Sequence, residues 1–246
     1  MILFEICGRS EAHPLYQWFE AKNGVRHYDF LQSLVEANVA AQRAFLSSHI
    51  IKALNFHAIT CLHTNAGEYR PCPVFVGDPE DKVNCYIPPQ HFEVQAQMDD
   101  LVNTVNRAWM ETDDLTLASF VLWKLNHIHP FINGNGRTAR AACYFVICLK
   151  LGSWLPGRTI LPELLRQNRV EYVAILKAVD ATYKAGSLDL SPLRALLERL
   201  LLEQVSSAAP ADSAGAAAAP PRPAIPLLQQ SDGAFAPDEQ RQAGTE

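Results

Sequence analysis

The sequence predicts an all-α body that carries one small β-hairpin and ends in an unstructured tail. Three observations support this. Apolar residues recur at helical spacing along most of the first 204 positions. One stretch alone is β-prone, with short runs at 74–76 and 85–87. Beyond Glu203 the composition changes, and residues 205–246 hold 12 alanines and 6 prolines. Proline removes helical donors and the remaining residues bury little, so this tail is expected to be disordered.

The first helical pattern runs over residues 30–55, with Leu31, Leu34, Val35, Val39, Phe45, Leu46, Ile50 and Leu54 in register. Val94, Met98, Leu101, Val105 and Trp109 repeat it over 90–110, and Leu117, Val121, Leu125 and Ile128 over 115–128. A helix over 137–151 is closed by Gly152. Residues 168–182 and 190–204 are further helices. The hairpin, 74–87, spans GDPEDKVN and is stopped by Pro88 and Pro89. A lone hairpin is marginal in water, so it must lean on the helices. Its open edge could accept an extended peptide by strand addition. Residues 1–29, with Tyr16, Trp18 and Phe19 near His13 and Pro14, read as a segment capping the core.

Twenty-one Lys and Arg against 26 Asp and Glu give a formal charge of -5, which excludes an overall basic nucleic-acid footprint. No apolar run is long enough for a membrane span. The start, MILFEICGRSE, lacks a basic leader, so a cytoplasmic protein is expected. None of the six cysteines forms a C-x-x-C pair, and all read as buried, reduced thiols.

The chemistry concentrates in HPFINGNGRTAR, residues 129–140. A helix should stop at His129, because a residue before proline avoids the α region. Glycines 134 and 136 around Asn135 let successive N–H groups turn inward as an anion nest. The next helix adds its own unpaired N–H groups and the positive end of its dipole. Arg137 and Arg140 sit three apart on its first turn, where cations are disfavoured unless a polyphosphate is present. His129 beside that nest accepts a proton near neutrality, which suits attack by a hydroxyl on phosphorus. Phe131 is expected to point into the core and fix the loop.

This segment resembles the Fic motif, HPFx(D/E)GNGRxxR, matching everywhere except Asn133. AGEYRPCPVFVG followed by YIPP is similar to the family's flap, and RVEYVAILKAV, residues 169–179, to the helix closing around the nucleotide. The resemblance covers about residues 30–200 and implies an all-α Fic fold over 30–204 with a flap over the active-site loop. It implies transfer of AMP from ATP to a Ser, Thr or Tyr hydroxyl of a target protein, with pyrophosphate release. His129 would be the general base. Gly134, Asn135 and Gly136 would cradle the phosphates, and Arg137 and Arg140 would neutralise them. Tyr172 would contact the nucleoside, and the flap would hold the target segment.

The family uses Mg²⁺ on the phosphates, and Asn133 stands where it usually has an acidic ligand. An amide keeps an oxygen there but removes a negative charge, so a hard cation is held more weakly. Reduced activity, reliance on the nucleotide's own phosphates, or another donor (UTP, GTP, a choline diphosphonucleotide) would each follow. The alternatives to AMP transfer are therefore another donor, removal of AMP, or a nucleotide-binding regulator that no longer catalyses.

QSLVEAN, residues 32–38, is similar to the family's inhibitory segment, (S/T)xxxE(G/N), within a candidate inhibitory helix at 31–46. On that resemblance Glu36 would pair with Arg140 and block the γ-phosphate position, or orient a water for removal of AMP. Gln32 and Ala37 depart from the pattern.

Overall fold

The centre of the molecule is a pair of helices joined by the short motif loop. A computed structural model describes residues 2–77, 80 and 85–208 of the chain. α1 (Leu3–Ile6), α2 (Pro14–Ala40) and α3 (Ser48–Ile59) come first, and a 3₁₀ turn, His91–Glu93, leads into α4 (Val94–Ala108). α5 (Asp114–Ile128), α6 (Asn135–Leu151), α7 (Leu161–Gln167), α8 (Arg169–Lys184) and α9 (Ser191–Ser206) follow.

α6 buries residues on every side, from Asn135 and Thr138 through Phe145 to Leu149. A helix that is apolar all round belongs in the core. α5 is its main partner, and α2, α3 and α7 also pack on it. α5 starts at Asp113, whose carboxylate accepts from the Thr116 N–H at 3.0 Å, a cap worth about 1 kcal/mol. Among the described residues no helix is long and apolar enough to cross a membrane.

Several expected elements need correction. The single helix over 30–55 is two, α2 and α3, broken at residues 41–47. Asn106 of α4 clamps this break, accepting from the Leu46 N–H at 2.9 Å and donating to the Leu46 carbonyl at 2.8 Å. Ser47 then caps α3 by accepting from the Ile50 N–H. The candidate inhibitory helix over 31–46 therefore ends at Ala40. α7 is an additional helix of seven residues, too short to show a period.

The hairpin at 74–87 reduces, among the described residues, to one antiparallel bridge between Val76 and Tyr86, with both N–H···O bonds at 2.9 Å. Pro73, Pro88 and Pro89 crowd both arms and cannot donate to a ladder. The turn at 78–84, apart from Glu80, lies outside the described residues.

The cysteines also divide: Cys7, Cys143 and Cys148 are buried, whereas Cys61 and Cys72 are exposed. Of the N-terminal aromatics, Tyr16 is fully buried with Leu3, Cys7 and Leu62, and Phe19 packs on them, but Trp18 is exposed. At the other end the fully buried Gln204 closes the body. Its amide donates to the Tyr144 hydroxyl at 2.7 Å and accepts from the Leu161 N–H at 2.7 Å. α9 thus continues into the stretch expected to be tail, and residues 209–246 of that stretch lie outside the described residues.

Candidate active site

Pro130 ends α5 at His129, as expected. His129 takes the left-handed conformation, φ 51°, while its N–H still reaches the Leu125 carbonyl at 3.0 Å. Five residues later Gly134 caps α6, also left-handed at φ 76°. Glycine is required here for two reasons. A side chain strains that φ, and a Cβ would lie 2.6 Å from Ile59 Cγ2 and 3.1 Å from Asn55 Nδ2.

The loop between these residues is stapled from three sides. Phe131 is fully buried, its ring against Tyr69. Asn135 accepts from the Phe131 N–H and donates to the Phe131 carbonyl, each at 2.8 Å. Its side chain therefore fixes the loop from within and does not line a phosphate seat. Asn55, buried in α3, donates to the Asn133 carbonyl at 2.9 Å and the Thr138 hydroxyl at 3.2 Å, and accepts from the Gly67 N–H.

Arg70 is the third staple. It is 3% exposed, yet among the described residues its guanidinium meets only backbone oxygens: His129 at 2.8 Å, Cys72 at 3.2 Å, Pro89 at 2.5 Å and Ile128 at 3.5 Å. Its own N–H donates to the Pro130 carbonyl. One side chain thus ties both arms of the flap to the end of α5. Tyr86 adds an anchor, its hydroxyl donating to the His127 carbonyl at 2.7 Å. His127 in turn faces Asp180 of α8 at 3.0 Å, and Trp123 donates to the same carboxylate at 2.8 Å.

The N–H groups of Asn135, Gly136 and Arg137 lie in the first turn of α6, where no intrahelical acceptor exists. The first turn's backbone bond is Thr138 N–H to Gly134 carbonyl at 2.9 Å, and no other described residue accepts from the three preceding amides. The two motif arginines differ. Arg137 is engaged: it pairs with Glu20 of α2 at 3.2 Å and donates to Asn133 Oδ1 at 3.0 Å and the Ala58 carbonyl at 3.2 Å. Arg140 forms no ion pair among the described residues, and its buried Nε has no hydrogen-bond partner. Burial pulls its guanidinium below the usual arginine range. A secluded, uncompensated cation is costly, and an anion relieves that cost.

Burial also pushes the His129 imidazole down to about 4, against an opposing pull from the Asn126 backbone and with help from Arg70. It is therefore the neutral, proton-accepting form through the physiological range. Tyr172 is buried on α8, its hydroxyl accepting from the Asn126 amide at 2.8 Å.

Two expectations about polar groups change. Glu36 does not pair with Arg140: its carboxylate accepts from Gln32 at 2.8 Å on the exposed side of α2. Leu31 and Val35 take the core face, so the next residue turns to solvent. Asn133 does not offer its oxygen freely. Oδ1 faces Arg137, and Nδ2 donates to the Glu11 carboxylate at 2.8 Å.

Sequence reasoning missed Arg70, Asn55, Glu11, Glu20 and His27. His27 of α2 is 2% exposed with both ring nitrogens unpartnered, and burial together with the charges of Arg137 and Arg140 lowers its pKa to about 4. The only signal for these α2 residues is spacing: Glu20, Asn23 and His27 share one helical face.

Residues 45–147 match the model of the Fic/DOC family. Protein adenylyltransferase Fic of Nematostella vectensis is 37% identical over 122 residues, which cover 47% of this chain and 24% of that protein. The chain thus accounts for about a quarter of that relative's length. Among solved structures, a Fic domain containing signaling protein from Bacteroides thetaiotaomicron aligns with TM-score 0.60 and 20% identity, over 77% of this chain and 70% of that one. Fic-1 from C. elegans aligns with TM-score 0.54 and 22% identity, over 73% and 48% respectively. These likenesses show a shared helical fold.

Proposed function

We propose that this chain, whose residues 45–147 match the model of the Fic/DOC family, is a nucleotidyltransferase moving AMP from ATP to a hydroxyl of a target protein. The observation that carries this reading is the pairing of unclaimed donors with a neutral base. The first-turn amides of α6 and Arg140, whose buried Nε has no partner among the described residues, suit a polyphosphate, and His129 stands at the other end of the same five-residue turn.

In this reading the amides of residues 135–137 and the Arg140 guanidinium bind the phosphates. The target hydroxyl oxygen attacks the α-phosphorus, and its proton passes to the neutral imidazole of His129. A new P–O bond joins AMP to the target, the bond to the β-phosphate bridging oxygen breaks, and pyrophosphate leaves. Arg140 balances the charge that accumulates on the departing group. A divalent cation held beside residue 133 of the loop would supply further neutralisation of the phosphate charge. Asn135 and Asn55 fix the loop, and Arg70 holds His129 and the flap arms in one frame. Such a reaction depends on positioning and electrostatics, and this site is built for both.

A second reading, a nucleotide binder with slow turnover, is favoured by Asn133, whose oxygen is already turned to Arg137. Incubation with α-³²P-ATP and Mg²⁺ separates the two. Transfer of label to protein, lost in His129→Ala, is the expected result. Nucleotide binding without any transfer would leave the binder.

A further inference from the structure

We propose that Glu11 carries the negative charge that motif position 133 lacks, and that its carboxylate, not the Asn133 amide, holds the divalent cation accompanying the nucleotide. This rests on the reading that the loop seats a nucleoside triphosphate.

The orientation of Asn133 is set from both sides. Its oxygen accepts from Arg137 at 3.0 Å and its nitrogen donates to Glu11 Oε1 at 2.8 Å. Reversing the amide would place its NH₂ against a guanidinium and its oxygen against a carboxylate. The one atom of Asn133 able to ligate a cation therefore faces a fixed positive charge. The carboxylate in direct contact with the Asn133 side chain is that of Glu11, at 2.8 Å from its nitrogen.

Among the described residues no lysine or arginine pairs with the Glu11 carboxylate. Arg137 already has Glu20 at 3.2 Å. The other groups near Glu11 are the Tyr16 hydroxyl at 3.5 Å and His63 Nε2 at 3.6 Å. His63 Nε2 also bonds to the Tyr16 hydroxyl at 2.8 Å, so that nitrogen is shared between the two groups. The Glu11 side chain is 55% exposed, which leaves room for a cation that keeps several waters.

Its position is built rather than accidental. The segment leading to it is pinned to the residues that follow α3, with Leu3 and Phe4 N–H groups donating to the Cys61 and Leu62 carbonyls at 3.0 and 3.1 Å. Just after it, Tyr16 is fully buried. The pair also explains the residue at 133. A second carboxylate there would stand against Glu11 and repel it, whereas an amide donates to it. Asn133 and Glu11 together present one negative charge beside the phosphate seat. One carboxylate plus substrate phosphates is an ordinary Mg²⁺ site.

The test measures binding rather than turnover. ATP affinity is taken by calorimetry in EDTA and in Mg²⁺, and Mn²⁺ retained with ATP is read by electron paramagnetic resonance. The proteins are the 246-residue chain, its Glu11→Gln variant, and Glu11→Gln combined with Asn133→Asp. The proposal expects Glu11→Gln to bind ATP normally in EDTA but to lose about tenfold or more of the gain conferred by metal, and the double variant to recover it. A Glu11→Gln protein that keeps the full metal-dependent gain overturns the proposal while nucleotide seating stands. Tighter nucleotide binding in that variant also overturns it, making Glu11 a plug. If the wild-type chain binds no ATP under either condition, the seating of a triphosphate fails and this inference with it.

Discussion

The Arg70 guanidinium donates to the main-chain carbonyl of His129 at 2.8 Å, so a residue at the base of the flap fixes the backbone of the candidate base. The same side chain holds Cys72 and Pro89, one on each arm. Flap and base therefore cannot drift independently. Lysine offers a point charge in place of a planar fork and cannot reproduce this. Arg70→Lys is expected to lower transfer of label at least tenfold and to destabilise the fold by about 2 kcal/mol, since several buried carbonyls lose their donor. Labelling together with urea denaturation checks both, and wild-type values in both would remove Arg70 from this role.

A second prediction concerns acidity. A general base works unprotonated, and His129 sits at about 4 in the folded protein. Transfer measured as kcat/KM should therefore not fall through an acid limb near the roughly 6.5 of a free histidine. It should hold between about pH 5.5 and 8 and decline only below about 5. A half-maximal point near 6.5 that disappears in no other histidine variant would show that His129 titrates normally and that the site is more open than described.

His27 predicts a change in stability over nearby pH values. Its folded pKa of about 4 lies below that of the unfolded chain, so the unfolded chain binds the proton first as pH falls. The stability it contributes is complete above roughly 6.5 and is lost as pH drops toward 4, by up to about 3 kcal/mol. Denaturant midpoints between pH 7.5 and 4 should show this slope, and His27→Leu should flatten it. An unchanged slope in the variant would assign the acid sensitivity to other groups.

Gly134→Ala tests the seat itself. The added methyl meets Ile59 Cγ2 at 2.6 Å on a backbone with φ 76°. Both the clash and the left-handed strain destabilise, together by about 2–3 kcal/mol. ATP affinity should fall with stability because the capping residue and the amides share one turn. Retained affinity in a destabilised protein would place the nucleotide elsewhere.

Glu36→Gln should leave labelling within about twofold of wild type, because its carboxylate is exposed and engaged with Gln32 rather than Arg140. A clear rise would mean that α2 visits another arrangement in which that glutamate reaches the motif.

Local rules carried much of this structure. The Pro130 stop, the Gly152 stop, the buried Phe131 and the run of α5 into α6 follow from neighbours in sequence, and the structure repeats them. What stayed illegible depends on distant partners. The break at 41–47 requires Asn106, sixty residues away, and nothing near Leu46 announces it. Arg70 looks like a surface arginine until Pro89 and His129 supply its acceptors. Asn135 sits in the motif like its neighbours, and only the closure onto Phe131 distinguishes its side chain from a ligand contact. Glu11 meets Asn133 across 122 positions, a separation no periodicity can bridge. The flap differs for the opposite reason: its runs are β-prone, but with proline on both arms a single bridged pair, Val76 and Tyr86, remains among the described residues.

The two hydrogen bonds from Asn135 to Phe131 give the motif turn a fixed shape before any guest arrives. The entropy of ordering that turn is spent during folding and is not charged again at binding. On the proposed reading, affinity at this turn would be governed by how well a guest's charges match donors already in place, and a guest of the wrong length would gain nothing from flexibility. Selectivity of this kind should persist as temperature rises, until the fold itself gives way.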